Sequence, residues 1–198
     1  MDEQPPRRGR PRSEAARTAV LSAAVDELLE RGYAAVTVEG IAARARVGKQ
    51  TIYRWWPGKA EVVLEAMVQR AARLIRVPDK GSLEADLNAF LAATFRARRF
   101  QPVLAGLMAE ALLDPAFAEQ FREQFLFGRR AALRTIFEQA RARGELDADP
   151  DVELLIDVVF GVLWYRVLVG HAPLTARAGR ELADLVTRVV RSHAGPGS

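Results

Sequence analysis

Between Leu21 and Val189 the apolar residues of this chain return every three or four positions, and nowhere do they alternate. That spacing matches the 3.6-residue helical turn and excludes the period of two that a half-buried strand requires. It constrains the fold more than any other feature. Leu21, Ala24, Val25, Leu28 and Leu29 share one face, and Gly32 ends the run. Ile41, Ala42 and Ala45 mark a short helix, and Val62, Val63, Ala66, Met67, Ala71 and Leu74 a long one to about Arg76. Pro57-Gly58 and residues 78–81 are breaks between helices. Ser13 and Ser82 are placed to cap helices, the second carrying Leu83, Leu87, Phe90, Leu91 and Phe95. A short apolar helix is expected over 101–113. Asp114-Pro115 opens a long helix ending at Gly144, Asp149-Pro150 opens one to about Gly170, and a last helix spans about 175–192. The expected fold is all-α.

The chain has 198 residues, 49% of them hydrophobic, enough for one or two small domains with a core. No apolar run reaches the ~18–20 residues of a membrane span. The longest, 158–169, is interrupted by Arg166. The opening "MDEQPPRRGRPR" leads into no apolar signal segment, so a cytoplasmic protein without a membrane partner is expected. Cysteine is absent, which excludes disulfides, thiolate metal sites and thiol nucleophiles and fits a reducing compartment. Only two histidines occur, His171 and His193, and there is no Gly-rich phosphate loop. Asp147, Asp149 and Asp151 imitate a calcium loop. However, Val152 stands where that loop needs glycine and Val158 where it needs glutamate. These acids read as a turn and as favourable charge at a helix N-terminus. An enzyme, the rival class, therefore has little to work with: no catalytic residue, metal or cofactor is expected.

Charge is distributed unevenly. Residues 1–60 hold 11 Lys+Arg and 7 Asp+Glu, whereas residues 61–198 hold 18 of each, so the whole net charge of +4 belongs to the first third. Such asymmetry points to a polyanionic partner for that part, although a solubilising basic tail gives the same sum. Within it, two short helices over 37–45 and 48–56 have the size of a helix-turn-helix, in which the first braces the second and the second enters the major groove. Ile41, Ala42, Ala45, Val47, Ile52 and Trp56 are spaced to form the small core. Lys49, Gln50, Thr51, Tyr53 and Arg54 are left outside, each able to donate hydrogen bonds. From Arg44 to Lys59 there are five cations and no acid, a concentration that calls for a counter-ion surface.

The frame "TVEGIAARARVGKQTIYRWWPGK", preceded by "VLSAAVDELLERGY", resembles the DNA-binding segment of the TetR family of transcriptional regulators. The resemblance covers about residues 7–67. The rest has the family's size and helical character, with "RARGELDADPD" and "GVLWYRVL" similar to family segments. It implies a basic arm over 1–12, a three-helix helix-turn-helix domain over 13–57 and a helical effector-binding and dimerisation domain over 58–198. By matching position, Thr37 caps the bracing helix and reaches a phosphate. Lys49 and Gln50 read bases, lysine suiting guanine and glutamine adenine. Thr51 and Tyr53 hold phosphates, Arg54 serves either purpose, and Lys59 meets the flanking phosphate. Trp56 matches a buried aromatic; Trp55 matches a position facing sugar–phosphate. The chain departs from the family pattern at Arg46, where a turn glycine is usual, and at Gly48, where a Ser/Thr cap is usual. A left-handed Arg46 costs on the order of 1 kcal/mol, part of which a phosphate contact would offset.

"RRGRPR", residues 7–12, resembles an AT-hook. Glycine lets the backbone approach the floor of a groove ~6 Å wide, and Arg8, Arg10 and Arg12 provide cations along it. In the C-terminal two thirds, Leu104, Met108, Phe121, Phe125, Phe160 and Trp164 are expected to line a cavity for a small apolar effector. Glu110 and Arg166 could orient a polar ligand group, but salt-bridge or surface roles are the expected ones. The helix over 152–170 is apolar nearly all round and so requires cover on both faces. In TetR-like proteins the last two helices pair with their copies. The expected homodimer contacts are Leu155, Val159, Leu163, Leu182, Leu185, Val186 and Val189. The function implied is a repressor whose dimer binds a palindromic double-stranded DNA operator and leaves it when the effector binds. The helix over 58–76 would be the lever.

Overall fold

The structure, a computed structural model, describes residues 10–74, 77–96, 98–146 and 150–192. Ten α-helices in chain order account for nearly all of them: α1 Arg10–Ala35, α2 Val38–Ala45, α3 Lys49–Tyr53, α4 Lys59–Leu74, α5 Leu83–Arg96, α6 Gln101–Leu113, α7 Pro115–Phe121, α8 Phe127–Ala142, α9 Val152–Val169 and α10 Ala176–Ser192. No strand forms among the described residues. The all-α expectation holds, and most breaks fall where the sequence places them.

Local chemistry explains the helix ends. The Thr37 side chain accepts from the Gly40 amide at 3.0 Å and caps α2. Ser82 accepts from the Ala85 amide, Asp114 from those of Ala116 and Phe117, and Thr175 from that of Ala178. Two expectations shift. Helix α1 begins at Arg10, so Ser13 lies inside it; Pro11, which lacks an N–H, fits the first turn, where none is needed. Asp151, not Asp149, caps α9, its side chain accepting from the Leu154 amide at 3.0 Å. Asp147 and Asp149 lie outside the described residues.

The helix expected over 115–144 is divided. A π-helical stretch, Arg122–Leu126, separates α7 from α8. Such a stretch shifts the register of all that follows. Phe117, Phe121 and Phe125 join one core, while Leu133, Ile136, Phe137 and Ala140 join another. The first core gathers α1 to α4 with α6 and α7, and the second α5, α8, α9 and α10. The first therefore does not stop at Pro57-Gly58. It continues through α4 into Phe100, Val103 and Leu107, so the two-helix unit and part of the C-terminal region share one packed interior. Leu29, expected inside, is exposed.

Candidate nucleic-acid interface and cavity

Helix α3 is anchored from behind. Ile52 is fully buried and Trp56, one turn later, is nearly so. The Trp56 indole N–H donates to Glu65 Oε2 at 2.8 Å, and Glu65 also pairs with Arg17 at 2.6 Å. Ile41 and Ala42 are buried beside them, with Ala45 and Val47 partly covered against the same core. On the outer side Lys49, Gln50, Tyr53 and Arg54 are exposed and Thr51 is half-buried. The short unit thus presents cations and hydroxyls on one face, as expected. Helix α3 ends at Tyr53, earlier than the expected Trp56, but the Trp55 and Trp56 amides still donate to the Ile52 carbonyl.

The turn before α3 has a defined geometry. Arg46 adopts φ 56, ψ 43, the sole left-handed non-glycine residue among the described ones. Its amide donates to Ala43 O and the Val47 amide to Ala42 O, the two bonds that close a helix in the Schellman manner. Gly144 ends α8 with the same pair of bonds at φ 75, and does so without a Cβ. Gly48 precedes α3 with no side-chain cap.

The cations are less isolated than their run in sequence suggested. Arg44 binds Glu27 at 2.8 Å and also pairs with Glu30, both from α1. The guanidinium holds the Glu30 carboxyl below its usual range. Lys49 pairs with Glu39 of α2 at 3.0 Å, and each raises the other's preference for its charged form. Lys59 is turned inward: its Nζ donates to the Tyr33 carbonyl at 3.3 Å and lies 4.5 Å from the centre of the Tyr33 ring. Its expected place on a flanking phosphate is therefore not its place in the free chain. Arg46 and Arg54 are exposed and have no partner among the described residues. Trp55, expected to face outward, is half-covered and packs edge-on against Trp56, ring centres 5.4 Å apart. Arg8 lies outside the described residues, as do the side chains of Arg10 and Arg12.

A cavity of about 400 Å3 opens where the two cores meet. Leu104, Met108, Phe125, Phe160 and Trp164 line it, as expected. Phe121 does not; it is buried behind, stacked on Phe125 at 5.6 Å and edge-on to Trp164 at 6.1 Å. Arg166 also lies elsewhere, donating to the Pro173 carbonyl. Glu110 accepts a 3.2 Å hydrogen bond from the Tyr33 hydroxyl. Burial first, and then the Glu110 carboxylate, push the Tyr33 phenol well above its ordinary range, so it stays a donor. Beside it, Gly106 lets α6 approach closely: a Cβ there would fall 2.2 Å from the Tyr33 ring. Leu104 and Met108 are four residues apart on one face of α6, and Gly106 and Glu110 four apart on the opposite face. One helix therefore forms a wall of the cavity and the seat of Tyr33. The polar side of the cavity has no signature in the sequence, because its residues come from α4, α6, α8 and α9 with no common motif.

On α9 and α10 the residues expected at a dimer interface are divided between the interior and the surface. Leu155, Val159, Leu163, Leu182 and Val186 are buried in the chain's own second core. Leu185 and Val189 remain exposed, joined by Leu154, Val158, Tyr165, Leu168 and Val169. Among the described residues no group of three or more His, Cys, Asp or Glu could hold a metal, and no helix is long and apolar enough to cross a membrane.

Comparison with known proteins fits this anatomy. Residues 20–66 match the family model of bacterial regulatory proteins of the tetR family, and residues 77–186 match the tetracyclin repressor-like C-terminal domain. The chain is 41% identical over 165 residues to the uncharacterised HTH-type transcriptional regulator YdeS of Bacillus subtilis, covering 82% of this chain and 83% of that one. It is 29% identical to the DNA-binding transcriptional repressor TetR of Mycobacteroides abscessus, covering 91% and 96%. The crystal structure of TetR family transcription regulator SCO0332 superposes with a TM-score of 0.77 at 29% identity, covering 87% of this chain and 97% of that one. Two matched family models, a relative along most of its length and a shared fold agree: this chain belongs to the TetR family, whose members are DNA-binding transcription regulators and not enzymes.

Proposed function

We propose that this regulator works in the cytoplasm as a homodimeric repressor, released from a palindromic operator by a small molecule. The exposed face of α3, backed by buried Ile52 and Trp56, carries the DNA part of this reading. Lys49 and Gln50 read base edges. Thr37, Thr51, Tyr53, Arg46 and Arg54 hold phosphates, with Trp55 against the sugar and residues 1–12 as a basic arm. For Lys49 to reach a base its bond to Glu39 must open, and Lys59 must likewise leave Tyr33 to meet a phosphate. The dimer forms through the exposed apolar face of α9 and α10, where Leu154 is 58% and Tyr165 60% exposed. Two recognition helices about one turn apart, ~34 Å, then read the two half-sites.

The effector occupies the cavity between the cores. Helix α4 contributes Met67 and Ala71 to its wall and begins beside the recognition unit, so it remains a lever. Helix α6 is the second: movement of Leu104 and Met108 is carried through Gly106 and Glu110 to Tyr33, and so to Lys59. A ligand shifts the equilibrium only by its differential affinity for the two states.

Selection of bound sites from random DNA with the full chain should yield a palindrome. Equal retention of scrambled competitor at physiological ionic strength would overturn the reading. On the selected site Lys49→Ala should lose about 1–3 kcal/mol of discrimination at one base pair of each half-site.

A further inference from the structure

The cavity is not uniformly apolar: three arginines border it against a single acid. Arg70 of α4, Arg129 and Arg130 of α8, and Asp157 of α9 all line it. Asp157 is the sole acid in that lining and is consumed by Arg130, which also binds Glu153 at 2.8 Å. Arg70 and Arg129 have no carboxylate partner among the described residues. Arg129 donates to the Thr94 hydroxyl at 2.7 Å, Thr94 in turn donates to the Phe90 carbonyl at 2.8 Å, and the guanidinium lies 5.2 Å from the centre of the Phe90 ring. One of its five N–H donors is thereby used and the group is fixed in place. Burial pushes the Arg129 guanidinium down to about 10, with no acid nearby to hold it up, and it stays charged at neutral pH. Arg70 lies 4.6 Å from the centre of the Phe100 ring, and its Nε is buried with no hydrogen-bond partner. Gln101, also in the lining, has a buried Nε2 with no acceptor.

Buried donors without acceptors cost free energy unless something supplies them. A bare cation in an apolar pocket costs more still. Here two guanidinium groups and one amide N–H2 border the same cavity, each held by an aromatic ring or a helix. An apolar molecule alone would cover these groups and leave them worse off. A carboxylate, sulfonate or phosphate would accept from them in the paired geometry that guanidinium favours.

We propose that the cavity takes an anionic amphipathic molecule, its acid group bound by Arg70, Arg129 and Gln101 Nε2 and its apolar body laid along Leu104, Met108, Phe160 and Trp164. This rests on the effector-cavity reading and narrows it: the expected small apolar effector becomes one bearing a negative charge. Neither arginine is paired with a carboxylate, so replacing it orphans no acid and the fold should tolerate the change.

The test is calorimetric titration of the chain of 198 residues with decanoate and decyltrimethylammonium below their micellar concentrations and with decan-1-ol below its solubility limit. Decanoate should bind at least tenfold tighter than decanol, and the cation least. In Arg129→Gln and Arg70→Gln the preference for decanoate over decanol should collapse to within about threefold, while decanol affinity is kept. Arg129→Lys, which retains charge, should keep part of the preference. Thermal unfolding of each variant checks the fold. Equal binding of decanoate and decanol, or a preference that survives in Arg70→Gln/Arg129→Gln, overturns the anion site while leaving the effector cavity in place. Failure of all three probes to bind overturns both.

Discussion

The two cores of this molecule are built alike and serve different ends. Both are close-packed and helical, with fully buried Leu, Ile and Phe. The first joins the recognition unit to α6 and α7 and is crossed by polar ties: Glu27 with Arg44, Trp56 with Glu65, Tyr33 with Glu110. The second is bounded by a polar clamp at one end, where Arg143 binds buried Asp86 at 2.9 Å and Glu145 at 2.6 Å, and it leaves an apolar face open on α9 and α10. The cavity lies between them. A ligand there touches one body that includes the reader and another that does not. In the proposed mechanism, displacement of one core against the other is how occupancy would reach DNA.

That contrast breaks most visibly in the cores themselves. Leu107 and Leu133 are both fully buried, one in each core. Leu107→Ala and Leu133→Ala should each lose about 2–5 kcal/mol of stability in denaturant melts. Only Leu107→Ala should also change operator affinity under conditions where both variants are folded. An equal change from both would show that the cores act as one body.

A smaller effect sharpens the seam. Gly106→Ala drives a methyl into the Tyr33 ring and should cost roughly 1–3 kcal/mol, the range for overpacking. Gly179→Ala, inside α10 with its nearest neighbour at 3.5 Å, should instead raise stability by about 0.5–1 kcal/mol in the same thermal melt. Tyr33→Phe removes the bond to Glu110 and should weaken ligand-induced release of DNA more than ligand binding, read by titrating ligand against the operator complex.

The smallest effect compares two helix ends. Arg46→Gly gives α2 the residue that ends α8 at Gly144, and should raise stability by about 1 kcal/mol. The same change removes an exposed, unpartnered cation and should weaken DNA binding with a shallower salt dependence. A stabilised variant with unchanged salt slope would place Arg46 outside the interface.

The local chemistry of the chain was legible without a structure. Thr37, Ser82 and Asp114 cap because a side-chain oxygen stands one residue before a helix. The backbone at Arg46 was left open by the sequence, and the structure makes it left-handed. The recognition helix was readable because its inward and outward residues differ in kind. Other features depend on what lies across the molecule, which no local pattern encodes. Helix α9 is apolar all round, so nothing in it said that Leu155 and Val159 turn inward while Leu154 and Val158 stay open. The π-helical stretch that sends α7 and α8 into different cores leaves no mark in apolar spacing. Lys49 and Lys59 read as free cations until folding brought Glu39 and Tyr33 to them. Arg70 and Arg129 are 59 positions apart and ordinary in sequence. Sequence alone determined the helical class and most helix breaks, and it separated the inward from the outward residues of α3, because these follow from residues within a few turns of one another. Which faces remain open, and which charges stand unpaired around the cavity, was decided by tertiary packing, because burial and pairing depend on neighbours remote in the chain.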